Sequence, residues 1–149
     1  MKLLATVEIE INAPQVEVFD AILDPTLISQ WMFGPNLRDE KIVHIEIDPS
    51  PNGFFSYLVD RNGVLIDHVG RFLLVDRPAQ LQFTWAIGKI TEQDSVVSIK
   101  ITSEKSVSTL TLTHNIPEEW SEYLERTKAG WEKMLSKLKM ILQKEQSLN

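Results

Sequence analysis

The sequence predicts an α+β domain in which a curved antiparallel sheet of six to seven strands wraps around one long C-terminal helix. Three observations point to this fold class. Apolar and polar residues alternate through most of residues 41–115, which is the period of strands with one buried face. Short helical patterns follow the first strand, and an apolar stripe at helical spacing fills the C-terminal part. A length of 149 residues fits one domain over 1–149.

The N-terminal part predicts one strand and then two short helices. Residues 3–11 alternate as a strand, and after them Asn12 is expected to cap a helix whose first turn holds Pro14. The segment "PQVEVFDAIL" has the apolar spacing of that helix. "DPTLISQW" predicts a second helix ending near Trp31, and "FGPNLRDEK" predicts a loop.

Six further strands are expected as a meander of consecutive antiparallel neighbours, joined by the N-terminal strand as a seventh. Their sequences are KIVHIEI, FFSYLVDR, VLIDHVGRFLLVD, LQFTWAI, SVVSIKI and STLTLTH. Asn62-Gly63 is a strong hairpin signal between the second and third of them. In each strand the apolar residues occupy alternate positions. One face of the sheet is therefore expected to be apolar, and another element must pack against it and shield it from water.

The predicted cover is a helix over about 118–146, which at 1.5 Å per residue spans about 43 Å. Its inward stripe is expected to contain Trp120, Leu124, Thr127, Trp131, Leu135, Leu138 and Leu142. Gly130 interrupts this helix on the flank of the stripe, where glycine costs roughly 0.5–1 kcal/mol relative to alanine. Either another backbone approaches closely there or a cavity opens beside the helix.

Composition excludes several classes of function. A net charge of −6 without a dense basic patch argues against nucleic-acid binding. The absence of cysteine excludes disulfides and sulfur-based zinc sites, and a cytoplasmic location is the simplest interpretation. No apolar run is long enough to span a membrane. Histidines at metal spacing, nucleotide-binding loops and the nucleophile elbow are also missing, so no metal or cofactor is expected.

Four segments carry a resemblance to a known family: "NAPQVEVFDAILDPTLISQWM", "GRFLLVDRPAQLQFTW", "STLTLTHNIP" and "AGWEKMLSKLKMIL". In this order they resemble the helix-grip fold of the START-like, or SRPBCC, superfamily, and most closely the activator of heat-shock protein 90 ATPase homologues. At "IDPSPNGFF" the chain keeps Asp48 and Gly53 but lacks the arginine and the second glycine common in that family. The resemblance implies a cavity between sheet and helix, which many relatives use for apolar ligands.

The candidate site is the inner face of the sheet where it meets the long helix. Three tryptophans are expected to meet there, with aromatic residues from the strands and a histidine at a strand end; packed together without a ligand, they would simply fill the core. The candidate ligand-binding residues are Trp31, Phe55, Tyr57, Phe83, Trp85, His114, Thr127, Gly130, Trp131 and Met134. His44 falls on the wet face, and the facing of His68 is not assigned by the pattern.

The leading hypothesis is a non-catalytic protein that binds a small, largely apolar or lipid-like molecule in that cavity. One alternative, implied by the resemblance, is a regulator of a chaperone ATPase or a stress-response protein. Another is a cavity enzyme, a hydrolase or cyclase, that uses His114 with Tyr57 as its partner. Self-association through a sheet edge, giving a homodimer, also stays open.

Overall fold

Seven antiparallel strands form one sheet in the computed structural model, which describes residues 2–35, 37–91 and 94–147. The elements in chain order are β1 (Lys2–Ile11), α1 (Gln15–Leu23), α2 (Pro25–Trp31), β2 (Lys41–Ile47), β3 (Phe54–Arg61), β4 (Val64–Asp76), β5 (Gln80–Ile87), β6 (Ser95–Glu104), β7 (Val107–Pro117), a 3₁₀ helix (Glu118–Tyr123) and α3 (Leu124–Ser147). The strand order is β1-β7-β6-β5-β4-β3-β2, so the meander from β2 to β7 is closed by β1. The helix-grip prediction is confirmed.

Strand periodicity determines which face of the sheet is buried. β7 alternates strictly between half-buried and buried residues, and Leu110 and Leu112 on its inner face are fully buried. Inner-face residues of β6 and β5, such as Ile99 and Leu81, pack in the same core. The core therefore lies between one face of the sheet and the helices, as the alternation predicts.

The long helix covers this face with a narrower stripe than the sequence pattern indicates. Trp131, Leu135, Leu138 and Leu142 are buried. The predicted helix over 118–146 is wrong at its start, because residues 118–123 form a 3₁₀ helix in which Trp120 has non-helical dihedral angles. Trp120 is 57% exposed, so it does not belong to the inward stripe.

The two short helices differ in how their first turns are capped. Pro14 occupies the cap position of α1 without a side-chain hydrogen bond, so the predicted cap by Asn12 is wrong. Asp24 caps α2, because its carboxylate accepts from the amide groups of Thr26 and Leu27. Within the described ranges, no helix is both long and apolar enough to cross a membrane.

Candidate functional site

Aromatic side chains from β3, β5 and α3 form a continuous network of ring contacts on the inner face. Phe55 stacks on Tyr57 with ring centroids 4.6 Å apart and meets Phe83 edge-on at 5.6 Å. Trp85 meets Trp131 of α3 at 5.5 Å. The sheet and the long helix are thus joined by five of the predicted site residues.

Three further rings in this network were not among the predicted residues. Phe33, which follows α2 in the chain, contacts Tyr57 at 5.7 Å. Phe72 of β4 contacts both Phe55 and Phe83. His68 of β4 lies between Phe33 and Trp85, with centroid distances of 4.6 and 5.5 Å. The register of β4 places His68 opposite Tyr57, which assigns it to the inner face.

His114 is hydrogen bonded through both ring nitrogens. The indole N–H of Trp131 donates to Nδ1 at 3.0 Å, and Nε2 lies 2.8 Å from the hydroxyl of Ser95. Nδ1 accepts a proton, so the hydrogen of the neutral ring is on Nε2 and is donated to Ser95. Ser95 in turn donates to the backbone carbonyl of Trp85. Burial lowers the pKa of His114 to about 4, which keeps the ring neutral at pH 7.

The proposed pairing of His114 with Tyr57 has no counterpart among the described contacts. Three strands separate β7 from β3 in the sheet, and the hydrogen bonds of His114 go to Trp131 and Ser95 instead. Burial also raises the pKa of the Tyr57 hydroxyl, so it holds its proton firmly.

Gly130 borders open space on the flank of α3. A β-carbon built on this glycine meets no atom within 4 Å, apart from its two chain neighbours and the backbone of its own helical turns. Of the two readings left open by the sequence, close approach of another backbone is therefore wrong. Thr127 and Met134, three residues before and four after it, lie on the same flank and are half-buried. Trp131 is 3% exposed and Gly130 is half-buried, so the open space lies at the boundary between the buried and the exposed sides of α3.

Trp31 lies in the core, but none of the described ring contacts joins it to Trp85 or Trp131. Its side chain is 1% exposed, and its indole N–H has no hydrogen-bond partner among the described residues. A buried donor without an acceptor costs about 1–3 kcal/mol. An acceptor supplied by a bound molecule or by water would recover this cost.

A buried carboxylate fixes the loop between α2 and β2 to the sheet. One oxygen of Glu40 accepts from Nε and Nη2 of Arg61, at 3.0 and 2.7 Å. The other accepts from the amide of Gly34 at 2.8 Å and faces Arg38 at 3.5 Å. On the other side of the loop, Lys133 of α3 donates to the carbonyl of Leu37. The loop that carries Phe33 is therefore held from both the sheet and the helix.

An open hollow of about 400 Å³ lies away from these residues, between the short helices and the end of β4. Its walls include Phe19, Leu23, Pro25, Pro49, Val75 and Arg77. None of the ten predicted site residues lines it. Across the part of the chain that the structure describes, no group of three or more potential metal-ligating side chains comes together.

The chain matches a known protein family over most of its length. A model of the family "Activator of Hsp90 ATPase homolog 1-like protein" matches residues 12–143, which include every strand of the meander and most of α3. The chain belongs to this family. No curated protein matches the chain.

Several solved structures share the fold of this chain. ChR145 from Cytophaga hutchinsonii is 26% identical, with a TM-score of 0.77 over 99% of this chain and 98% of that chain. Protein NE0264 from Nitrosomonas europaea is 18% identical, with a TM-score of 0.80 over 97% of each chain. The AHSA1-like protein from Aeromonas hydrophila is 22% identical, with a TM-score of 0.72 over 91% of this chain and 90% of that chain.

The loop in which the chain departs from the family pattern is a tight connection between β2 and β3. Asp48 donates its amide to the carbonyl of Phe54 at 3.0 Å, and Ser50 donates to the Asp48 carboxylate. A β-carbon on Gly53 would collide with the Asp48 carbonyl. The two retained family positions, Asp48 and Gly53, therefore have a structural role in closing this turn.

Proposed function

We propose that the protein binds a small, largely apolar molecule between the inner face of the sheet and α3, without catalysing a reaction on it. The observation that carries this proposal is the open space at Gly130, which precedes the buried Trp131 in α3; Trp131 in turn contacts Trp85. Small-molecule sites are concave and mostly apolar, with a few polar groups. The half-buried Trp85, Thr127 and Met134 offer an apolar surface of this kind.

Membership of the family supports the same proposal, because the resemblance implies a cavity between the sheet and the long helix. Glycine at position 130 destabilises the helix relative to alanine. On this proposal the glycine is needed there, since any side chain would occupy the space that the ligand needs. The ligand itself is described only by its chemistry, which is apolar and small enough to lie beside one helical turn.

A catalytic role for His114 has little support. Both nitrogens already take part in hydrogen bonds with Trp131 and Ser95. A general acid or base works best when its pKa is near the working pH, whereas burial holds that of His114 at about 4. Regulation of a chaperone ATPase rests on the family name alone, and the homodimer stays a prediction.

A blocked variant tests the binding proposal. Titration of the protein with a panel of apolar dyes and lipids is expected to change tryptophan emission, because Trp85 and Trp131 border the site. Gly130→Leu should weaken this binding at least about tenfold by filling the space, a loss of roughly 1.4 kcal/mol. Ala129→Leu is the matched control, since it adds a larger side chain at the next, exposed position of α3.

The outcome is decisive in both directions. An emission response that is lost in Gly130→Leu and kept in Ala129→Leu supports a site beside Gly130. If the whole panel leaves the emission of the wild type unchanged, or if Gly130→Leu binds as well as the wild type, the proposal is wrong. A urea melt of each variant shows that the fold is intact.

A further inference from the structure

Two aromatic side chains lie exposed where the 3₁₀ helix leads into α3. Trp120 is 57% exposed and Tyr123 is 42% exposed. Their ring centroids are 6.2 Å apart, with the ring planes inclined at 66°. The other three tryptophans of the chain pack within the core or against it. Together Trp120 and Tyr123 form an aromatic patch of the residue types that protein interfaces favour.

The backbone keeps this aromatic patch out of the core. Trp120 has non-helical dihedral angles, and the regular α-helix begins only at Leu124. Helical spacing alone would place Trp120 on the same stripe as the buried Trp131. Two large rings thus stay in contact with water, and a partner that covers them removes apolar surface from water.

The aromatic patch lies in a strongly acidic segment. Residues 118–126 contain four glutamates and one arginine. All four glutamates are exposed, and none forms an ion pair with a side chain that the structure describes; they are Glu118, Glu119, Glu122 and Glu125. Acidic residues are common at helix starts, so the carboxylates alone would indicate no site. Two exposed rings among them favour a partner that is cationic and able to cover an aromatic face.

One ring of the aromatic patch already holds a cation. The guanidinium carbon of Arg126 lies over the ring of Tyr123, 5.5 Å from its centroid. The negative face of an aromatic ring attracts cations, and tryptophan does so most strongly. No cation of the described residues lies over the ring of Trp120. The stronger of the two rings is therefore free for a cation from outside the chain.

We propose that the aromatic patch docks an arginine-rich segment of another protein, with a guanidinium on the ring of Trp120 and further cations on the glutamates beside it. Residues 118–125 extend over about 10–14 Å at 1.5–2.0 Å per residue. Alternate side chains of an extended segment are about 7 Å apart, so the carboxylates can meet several of its cations at once. Arginine is favoured over lysine because its planar, weakly hydrated guanidinium stacks on aromatic rings.

Blocked hexapeptides added to ¹⁵N-labelled protein test this proposal. The probes are hexa-arginine, hexa-lysine and a neutral Gly-Ser hexapeptide. Hexa-arginine should shift the indole N–H resonance of Trp120 and the backbone amides of residues 118–126. It should bind more tightly than hexa-lysine, and its affinity should fall as salt is added. The neutral peptide should leave these resonances unchanged.

Variants separate the rings from the charges, with the amide shifts as the common measure of affinity. Trp120→Ala should weaken hexa-arginine binding about two- to fivefold, the range of one exposed cation–π contact. The double variant Glu119→Gln/Glu122→Gln should weaken it about threefold or more. Glu8→Gln/Glu10→Gln is the matched control, since it removes two exposed carboxylates from β1, and it should bind as the wild type does.

Four results would overturn the proposal. They are no shift with hexa-arginine at low salt, unchanged affinity in Trp120→Ala, equal weakening by the two double variants, and an equal response to tetramethylammonium, which would indicate a site for a small cation. Sedimentation gives a further test, because a wild-type dimer that Trp120→Ala dissociates would show that a second copy covers the aromatic patch. Gly130→Leu should bind hexa-arginine normally, so this proposal and the apolar-ligand function can fail independently.

Discussion

Two glycines in this chain occupy their positions for opposite reasons. Gly70 of β4 lies under the ring of Phe55, and a β-carbon there would collide with that ring and with the backbone carbonyl of Thr84. A β-carbon built on Gly130 of α3 has no atom within 4 Å, apart from its chain neighbours and the backbone of its own helical turns. The first glycine is required by packing, whereas the second has open space where a side chain would lie.

Alanine at each position should reveal this difference. Gly130→Ala should stabilise the fold by about 0.5–1 kcal/mol, because alanine is the better helix former and meets no obstacle. Gly70→Ala should destabilise it by roughly 1–3 kcal/mol or more through overpacking. Urea unfolding of both variants measures these changes. A destabilised Gly130→Ala would show that the flank of α3 is filled.

The buried His114 makes stability depend on pH. Its folded pKa of about 4 lies below the ordinary value of 6.5, so the unfolded chain takes up a proton first as the pH falls. The contribution of neutral His114 to the free energy of unfolding is fully present above pH 6.5 and is lost as the pH falls toward 4. Over this window the expected loss is roughly 3 kcal/mol, since one pKa unit corresponds to about 1.4 kcal/mol.

His114→Gln isolates this contribution. The amide oxygen can accept from Trp131 and the amide nitrogen can donate to Ser95, and glutamine does not titrate. The variant should therefore lose less stability than the wild type between pH 6.5 and 4, measured as the free energy of unfolding in urea. Other titrating groups, His68 included, affect both proteins alike. Parallel curves for the two proteins would contradict the buried neutral histidine.

Strand parity was sufficient to place most of the aromatic network from the sequence. Phe55, Tyr57, Phe83 and Trp85 face inward as their alternation predicts. His68 could not be assigned, because β4 is long and its register with β5 shifts between Phe72 and Leu74. The alternation of inward and outward side chains on one side of such an irregularity does not continue unchanged on the other side. Phe33 was missed because it lies in a loop, where no periodicity indicates facing.

At the scale of elements, the loop between α2 and β2 is held by charge. Glu40 has no exposed side-chain surface, while Arg38 and Arg61 are 26% and 35% exposed. No periodic pattern indicates such a cluster, so the sequence predicts only a loop over 33–41. The cluster holds Gly34, the residue after Phe33, whose ring contacts His68.

Glu40→Gln should loosen this loop. Two arginines would lose their shared counter-charge, and the expected destabilisation is roughly 2–3 kcal/mol, below the value for fully buried pairs because both arginines reach solvent. The amide of Gly34 donates a hydrogen bond to Glu40. Hydrogen exchange at this amide should therefore accelerate more than exchange at the amides of β6 and β7.

Asp20→Asn is the control for this prediction. Asp20 and Arg77 form a bidentate pair of similar geometry, but both side chains are more than half exposed. Its loss should matter far less, because solvent already screens the pair. Equal destabilisation by the two substitutions would show that burial does not determine the strength of the Glu40 cluster.

The start of the long helix was the main error at this scale. The apolar spacing from Trp120 to Leu142 fits a helix throughout, yet Trp120 has φ −105° and ψ 22° and the chain is 3₁₀ until Tyr123. Periodicity cannot distinguish these states over one turn, since residues three apart share a face in both. The exposed Trp120 packs on Tyr123 instead of on the sheet.

For the whole molecule, fold class was the most predictable property. Consecutive antiparallel strands with one apolar face must bury that face, and among the described elements α3 is the longest helix that can cover it. The state of the interior was not predictable, because whether aromatic rings fill a space or line it depends on distances of a few ångströms. Gly130 was the one signal in the sequence that pointed to unfilled space.

The position of β1 at the edge of the sheet has a consequence for the growing chain. Its only strand partner among the described residues is β7, with Lys2 opposite Pro117 and Ile11 opposite Ser108. During synthesis β1 leaves the ribosome before the strands of the meander, but its partner β7 begins only at Val107. The meander from β2 to β6 can form in order while β1 is unpaired, so β1 is made before these strands and pairs after them.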